Sequence, residues 1–117
     1  MSDVRLREVP FELDGRSYTL RCNMNVLADV QEAYGGDMTP ALSTRGTLHS
    51  SLEFLAAMLN EDADLQGLFA SGELTERFTA RKLGRKLKRE QIPMLEIFQL
   101  VTAELSPDSA AGQSGGN

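Results

Sequence analysis

The sequence predicts an α+β, mainly α domain: an N-terminal β-hairpin followed by four to five helices over residues 1–105, then a disordered C-terminal tail over 106–117. Three features of the chain point there. Apolar residues alternate with polar ones from Val9 to Cys22 about a central Asp14-Gly15, which is the period of a strand pair with one buried face. From Val26 the apolar spacing changes to three and four, the period of an amphipathic helix. After Leu105 the chain is Ser, Pro, Asp, Ala, Gly, Gln and Asn with no apolar anchor, too little to offset the entropy of ordering it.

The hairpin comes first. Asp-Gly suits a two-residue type I′ turn, because both positions need positive φ. That turn sets Leu13 opposite Arg16, Phe11 opposite Tyr18 and Val9 opposite Leu20. Val9, Phe11, Leu13, Tyr18, Leu20 and Cys22 then share the buried face, and Glu8, Glu12, Ser17, Thr19 and Arg21 the wet one. Pro10 has no N–H to donate, which marks the first strand as an edge. Asn23 or Asn25 caps the first helix, whose inward residues are Val26, Leu27, Val30, Ala33 and Tyr34, and Gly35-Gly36 ends it. Thr39-Pro40 reads as a cap with proline at the first helical position, opening a short turn. A longer helix follows from about Thr47 to Asn60, with Leu48, Leu52, Leu55, Met58 and Leu59 inward. Asp62 to Ala70 is a short helix broken by Ser71-Gly72. Thr79 caps a basic helix with Leu83 and Leu87 inward. Ile92-Pro93 marks the next boundary, and Met94, Leu95, Phe98, Val101, Thr102 and Leu105 line a last helix ended by Pro107.

The length, 117 residues, is that of one ordinary domain. No apolar run approaches the roughly 20 residues that span a bilayer, so no membrane association is expected. The first residues, Met1 to Arg5, lack the basic and apolar blocks of a secretory signal. Cys22 is the single cysteine, which fits a reducing compartment. It faces inward on the hairpin and reads as a small apolar side chain. His49, the only histidine, has no second ligand spaced to share a metal, and reads as a surface or capping residue. Glu61, Asp62 and Asp64 lack the alternating oxygens and central glycine of an EF-hand, so capping and solvation are their expected uses. Gly35-Gly36 belongs to no phosphate-cradling pattern. We therefore assign no catalytic, metal or cofactor-binding residue, and expect no cofactor and a non-enzymatic role.

Charge falls in blocks. Residues 1–76 carry 13 acids against 5 bases, 77–89 carry 7 bases and no acid, and 90–117 carry 4 acids, for a net −5. The bases Arg77, Arg81, Lys82, Arg85, Lys86, Lys88 and Arg89 are the candidate partner-binding set. On a helix opened by Thr79, Arg81, Arg85 and Lys88 fall along one strip, and Lys82, Lys86 and Arg89 along the next. Such a surface is either a solvated face that offsets the acidic body or a docking strip for an acidic or amphipathic partner segment. A small DNA-binding regulator reading DNA through helix 77–89 is a rival, but a recognition helix wants Asn or Gln readers beyond the lone Gln91. The acidic body also opposes phosphate binding, which argues against nucleic acid as the partner.

The stretch from Val9 to Gly36, with Leu13-Asp14-Gly15-Arg16-Ser17-Tyr18-Thr19-Leu20 at its centre and a capped helix after it, resembles the opening of tail assembly chaperones of long-tailed phages and gene transfer agents. Those proteins share an "L-D-G-K-x-Y-x-L" hairpin, a helix closing on "E-E-x-x-G", a Leu-rich helix and a final helical pair. The likeness covers residues 9–105 in layout and about the first third in motif, with Gln31-Glu32 where two acids are common. It implies a non-enzymatic role in the bacterial host cytoplasm: coating the helical tape-measure protein and recruiting tail-tube subunits during tail assembly, with self-association along the partner. A frameshifted longer product is also common in such families. Met24, Met38, Met58 and Met94 are expected either to line a partner groove or to fill the core. A structural head or tail subunit that stays in the particle shares the same small-domain pattern.

Overall fold

The computed structural model describes residues 8–43 and 48–105. The expected tail over 106–117, Pro107 and the helix start at Thr47 lie outside these residues. The chain runs β1 (Val9–Leu13), β2 (Arg16–Leu20), α1 (Met24–Ala33), α2 (Thr39–Ser43), α3 (Leu48–Asn60), α4 (Ala63–Ser71), α5 (Ala80–Lys86), a 3₁₀ turn at Arg89–Gln91 and α6 (Met94–Leu105). This is a hairpin followed by helices, with the one-turn α2 bringing the number of α-helices described to six. No described helix is long and apolar enough to cross a membrane.

The hairpin has the register that its turn dictates: Val9 pairs with Leu20, Phe11 with Tyr18 and Leu13 with Arg16. Asp14 and Gly15 both take positive φ, 55° and 79°, as a type I′ turn requires. Val9, Phe11, Leu13, Tyr18 and Leu20 are buried, and Cys22 is half-buried against the same core. Asn23 caps α1, its Oδ1 accepting from the Val26 N–H at 3.0 Å. At the other end of α1 the Gly35 and Gly36 N–H groups donate back to Glu32 and Gln31 carbonyls at 3.0 and 2.8 Å. Both glycines hold positive φ, the left-handed turn that closes a helix.

Helix α3 is the hub: α1, β2, α4, α5 and α6 all pack on it. Leu55, Met58 and Leu59 are buried as expected, but so are Ser50, Ser51, Phe54, Ala56, Ala57 and Asn60. A stripe reading assumes one buried face. Here neighbours pack on several sides of the helix. Leu48, expected inward, is 43% exposed because it precedes the enclosed part of the helix.

Three further expectations are corrected. Helix α6 buries Ile97, Leu100 and Val101, whereas Leu95, Thr102 and Leu105 face outward. The helix is apolar on more than one side, and Ile92, buried just before Pro93, fixes its rotation. Helix α2 begins at Thr39 itself, so Thr39 is not its cap. Asp37 serves the N-terminus instead, Oδ1 accepting from the Thr39 N–H at 3.0 Å. Ala33 is exposed where α1 leaves the core.

Candidate partner-binding groove

A groove of about 760 Å³ runs along the outer side of α3, between α1 and the segment entering α5. Its floor includes Ala56 and Ala57 of α3, one wall carries Asp29 and Glu32 of α1, and the other carries Arg77 and Arg81. Along α3 it extends from Glu53 to Asn60, with Glu61 just past the helix end, a span of about 10 Å at 1.5 Å per residue, or roughly two helical turns.

Each wall has a local cause. Val26, Leu27 and Val30 bury one side of α1, and Asp29 and Glu32, three residues apart, fall along its outward edge. Glu61 fastens this helix to the end of α3: its Oε1 accepts from Asn23 Nδ2 at 3.1 Å and Asn25 Nδ2 at 3.3 Å. A carboxylate there also favours the helix N-terminus. The opposite wall starts in irregular backbone before α5, held by one buried side chain, and continues into the first turn of α5 at Arg81. Asn60 Nδ2 donates to the Phe78 carbonyl at 3.0 Å, and Asn60 Oδ1 accepts from the Phe78 N–H at 2.8 Å. The amide thus completes both backbone groups of a residue with no strand partner. Gln66 Nε2 in turn donates to the Asn60 carbonyl. The Phe78 ring meets Tyr18 edge-on at 6.1 Å, and the Arg77 guanidinium lies over Phe69, 4.7 Å from the ring centroid.

The electrostatics follow this placement. Burial, the Glu61 carboxylate and Glu32 push the Asp29 carboxyl above its ordinary value, and Arg77 partly offsets them. The groove therefore has an acidic side under mutual repulsion and a basic side facing it.

The seven candidate bases do not form one strip. Thr79 caps α5 as expected, Oγ1 accepting from the Lys82 N–H at 3.1 Å, and Leu83 is fully buried. The helix nevertheless ends at Lys86, and Leu87 is extended, so the strips through Lys88 and Arg89 do not exist as helical faces. Gly84 in the middle of α5 lowers its helix propensity, and Leu87 stays half-buried against the core. Arg77 and Arg81 line the groove. Lys82 pairs with Glu76 at 2.9 Å, and Lys86 reaches Asp14 in the hairpin turn at 2.8 Å. Arg85, Lys88 and Arg89 are exposed away from the groove. Gln91 Oε1 accepts from the Lys88 N–H at 2.7 Å, a local turn bond that uses its side chain.

The remaining singled-out residues have structural partners. Asp62 caps α4 through Oδ1, which accepts from the Asp64 and Leu65 N–H groups at 2.9 and 3.1 Å. His49 lies against the Tyr34 ring at 5.7 Å, with Nε2 3.9 Å from Glu53 Oε2. Burial and the Glu104 carboxylate push the Cys22 thiol up to about 12, which keeps it protonated and a poor nucleophile. Among the described residues no group of three or more His, Cys, Asp or Glu is placed to hold a metal ion. Of the four methionines singled out above, Met58 is fully buried, Met38 and Met94 pack on the core, and Met24 is 69% exposed. None lines the groove.

The sequence reading located Arg77 and Arg81 but missed Asp29, Glu32 and Asn60. Asp29 and Glu32 look like ordinary solvated positions on a surface helix, and nothing in a sequence places Asn60 beside Phe78. No family model, curated protein or solved structure matches this chain.

Proposed function

We propose that this chain is a non-enzymatic tail assembly chaperone of a phage or prophage, which seats a helical segment of a tape-measure protein in the groove over α3 and recruits tail-tube subunits. The observation that supports this reading is the groove itself: about two turns long, floored by alanines, and walled by Asp29 and Glu32 on one side and Arg77 and Arg81 on the other. Small floor residues leave depth for a partner's apolar side chains. Opposed charges steer encounter, and like charges set against them disfavour wrong arrangements. The hairpin, capped helix and following helices also keep the order that the resemblance implies.

The test is co-expression with a phage tape-measure protein from the same genome, followed by purification of the complex and of mature particles. The chaperone reading expects a complex that Arg77→Glu with Arg81→Glu weakens at least about tenfold, and particles free of the chain by mass spectrometry. Stoichiometric retention in particles overturns it in favour of a structural subunit. Submicromolar, salt-sensitive binding to duplex DNA overturns it in favour of a regulator.

A further inference from the structure

We infer that the groove fixes the direction in which a partner helix lies, by reading the order of charges on the two flanks of that helix's apolar strip. This deepens the helix-docking reading and rests on it. Its basis is the arrangement of charge across the groove: Asp29 and Glu32 stand on α1, Arg77 and Arg81 stand on the far side, and the alanine floor separates them. The two ends do not share this asymmetry, since each is marked by a carboxylate, Glu53 at one and Glu61 at the other. Charge therefore distinguishes left from right much more than one end from the other.

An amphipathic helix laid apolar side down has a left and a right flank, and turning it end for end exchanges them. A segment with Lys or Arg on one flank and Asp or Glu on the other matches both walls in one direction only. Reversed, it sets acids against Asp29 and Glu32 and bases against Arg77 and Arg81, and like charges in contact exclude wrong arrangements. The occupant is thus a two-turn amphipathic helical segment with an apolar strip, a basic flank and an acidic flank. Burial first, then Glu61, with Arg77 opposing and Glu32 adding, already disfavour the charged form of Asp29, so a basic flank beside it offsets that cost as well as forming a new contact.

The experiment uses the full chain and designed helical peptides of roughly 18 residues, long enough to hold a helix. One has a Leu/Ala strip with a Lys row on the left flank and a Glu row on the right. A second exchanges the rows, and a third carries Glu on both flanks. A nitroxide at each peptide's N-terminus reports direction by broadening protein resonances at the Asn25–Glu61 end or at the Ala33–Glu53 end. The first two are expected to bind with equal affinity and opposite broadening patterns. The third should bind at least about tenfold more weakly. In the variant Glu32→Lys with Arg81→Glu, whose altered side chains are exposed, the direction preference should be lost or reversed. Binding of the first two in the same direction, or equal binding of all three, overturns the inference and leaves helix docking standing. If none binds, the docking reading fails and the inference with it.

Discussion

Asp62 sits where the hairpin meets the helices, and its two carboxylate oxygens accept three backbone N–H groups from separate elements. Oδ1 takes those of Asp64 and Leu65 at the start of α4, and Oδ2 takes that of Thr19 on the outer edge of β2, at 2.9 Å. Counting out from the turn, Thr19 and Pro10 form a non-hydrogen-bonded pair, so the Thr19 N–H points away from β1, where no described strand lies to bond it. The side chain is therefore both a helix cap and a seal on a strand edge that would otherwise invite a further strand. Asp62→Ala removes both acceptor oxygens, and with them all three hydrogen bonds, at a site only 7% exposed. The expected loss is about 2–4 kcal/mol, a cap plus a part-buried donor left unpaired. Asp62→Asn keeps one acceptor oxygen and turns an NH₂ toward the other side, so the expected loss is smaller, about 1–2 kcal/mol. Urea unfolding midpoints check the order. If both variants lose the same amount, the bonds to the oxygen that Asn keeps contribute nothing.

Among the elements, those that depend on local chemistry were mostly legible in the sequence, the capping residue of α2 being off by two residues, and those that depend on enclosure were not. The Asp14-Gly15 turn, the Asn23 and Thr79 caps and the glycine stop after α1 each act within a few residues, and each appears as expected. The inward faces of α3 and α6 depend on what surrounds them, and there a single-stripe reading failed: α3 is enclosed on several sides, and α6 had two apolar faces to choose from. The groove was half legible for the same reason. Arg77 and Arg81 stand out as part of a basic run, whereas the acidic wall becomes a wall only when α1 packs beside α3. Helix α5 shows how the two levels meet. Leu83 anchors it fully buried, but Gly84 follows, and a Cβ built there meets only Leu52 Cδ1 at an ordinary 3.7 Å. Gly84→Ala is expected to stabilise the protein by about 0.5–1 kcal/mol through helix propensity and a less free unfolded chain. A rise in the unfolding midpoint, with greater amide protection over residues 80–86, checks it. A fall would mean that α5 must bend at this position.

For the molecule as a whole, a net charge of −5 disfavours the compact state through self-repulsion, and the groove concentrates that cost on one side. Asp29 is the clearest case, because its carboxyl is held above the ordinary 3.8 by burial and by Glu61 and Glu32, with Arg77 opposing. The sign follows from proton linkage. Just above 3.8 the folded state holds a proton at Asp29 that the unfolded state has released, so stability falls as pH rises through this window. The penalty is complete at neutral pH. Asp37 and Glu76 act oppositely, since hydrogen bonds to Thr39 and Lys82 lower their carboxyls, and their contribution is lost on acidification. A comparison at one site separates these effects. Asp29→Asn should be more stable than the parent at neutral pH, by less than about 1 kcal/mol because the group is largely solvated. The difference should close as pH falls through the carboxylate range, and shrink when salt shortens the screening length to a few ångströms. The same substitution should weaken binding of the Lys/Glu-flanked peptide, since it removes half of the acidic wall. Paired unfolding and titration measurements decide this. A variant that is less stable at neutral pH, or one that binds the peptide as tightly as the parent, would show that the acidic wall is neither strained nor used. Greater stability together with weaker binding would identify the charge at Asp29 as a cost that the fold carries for its partner.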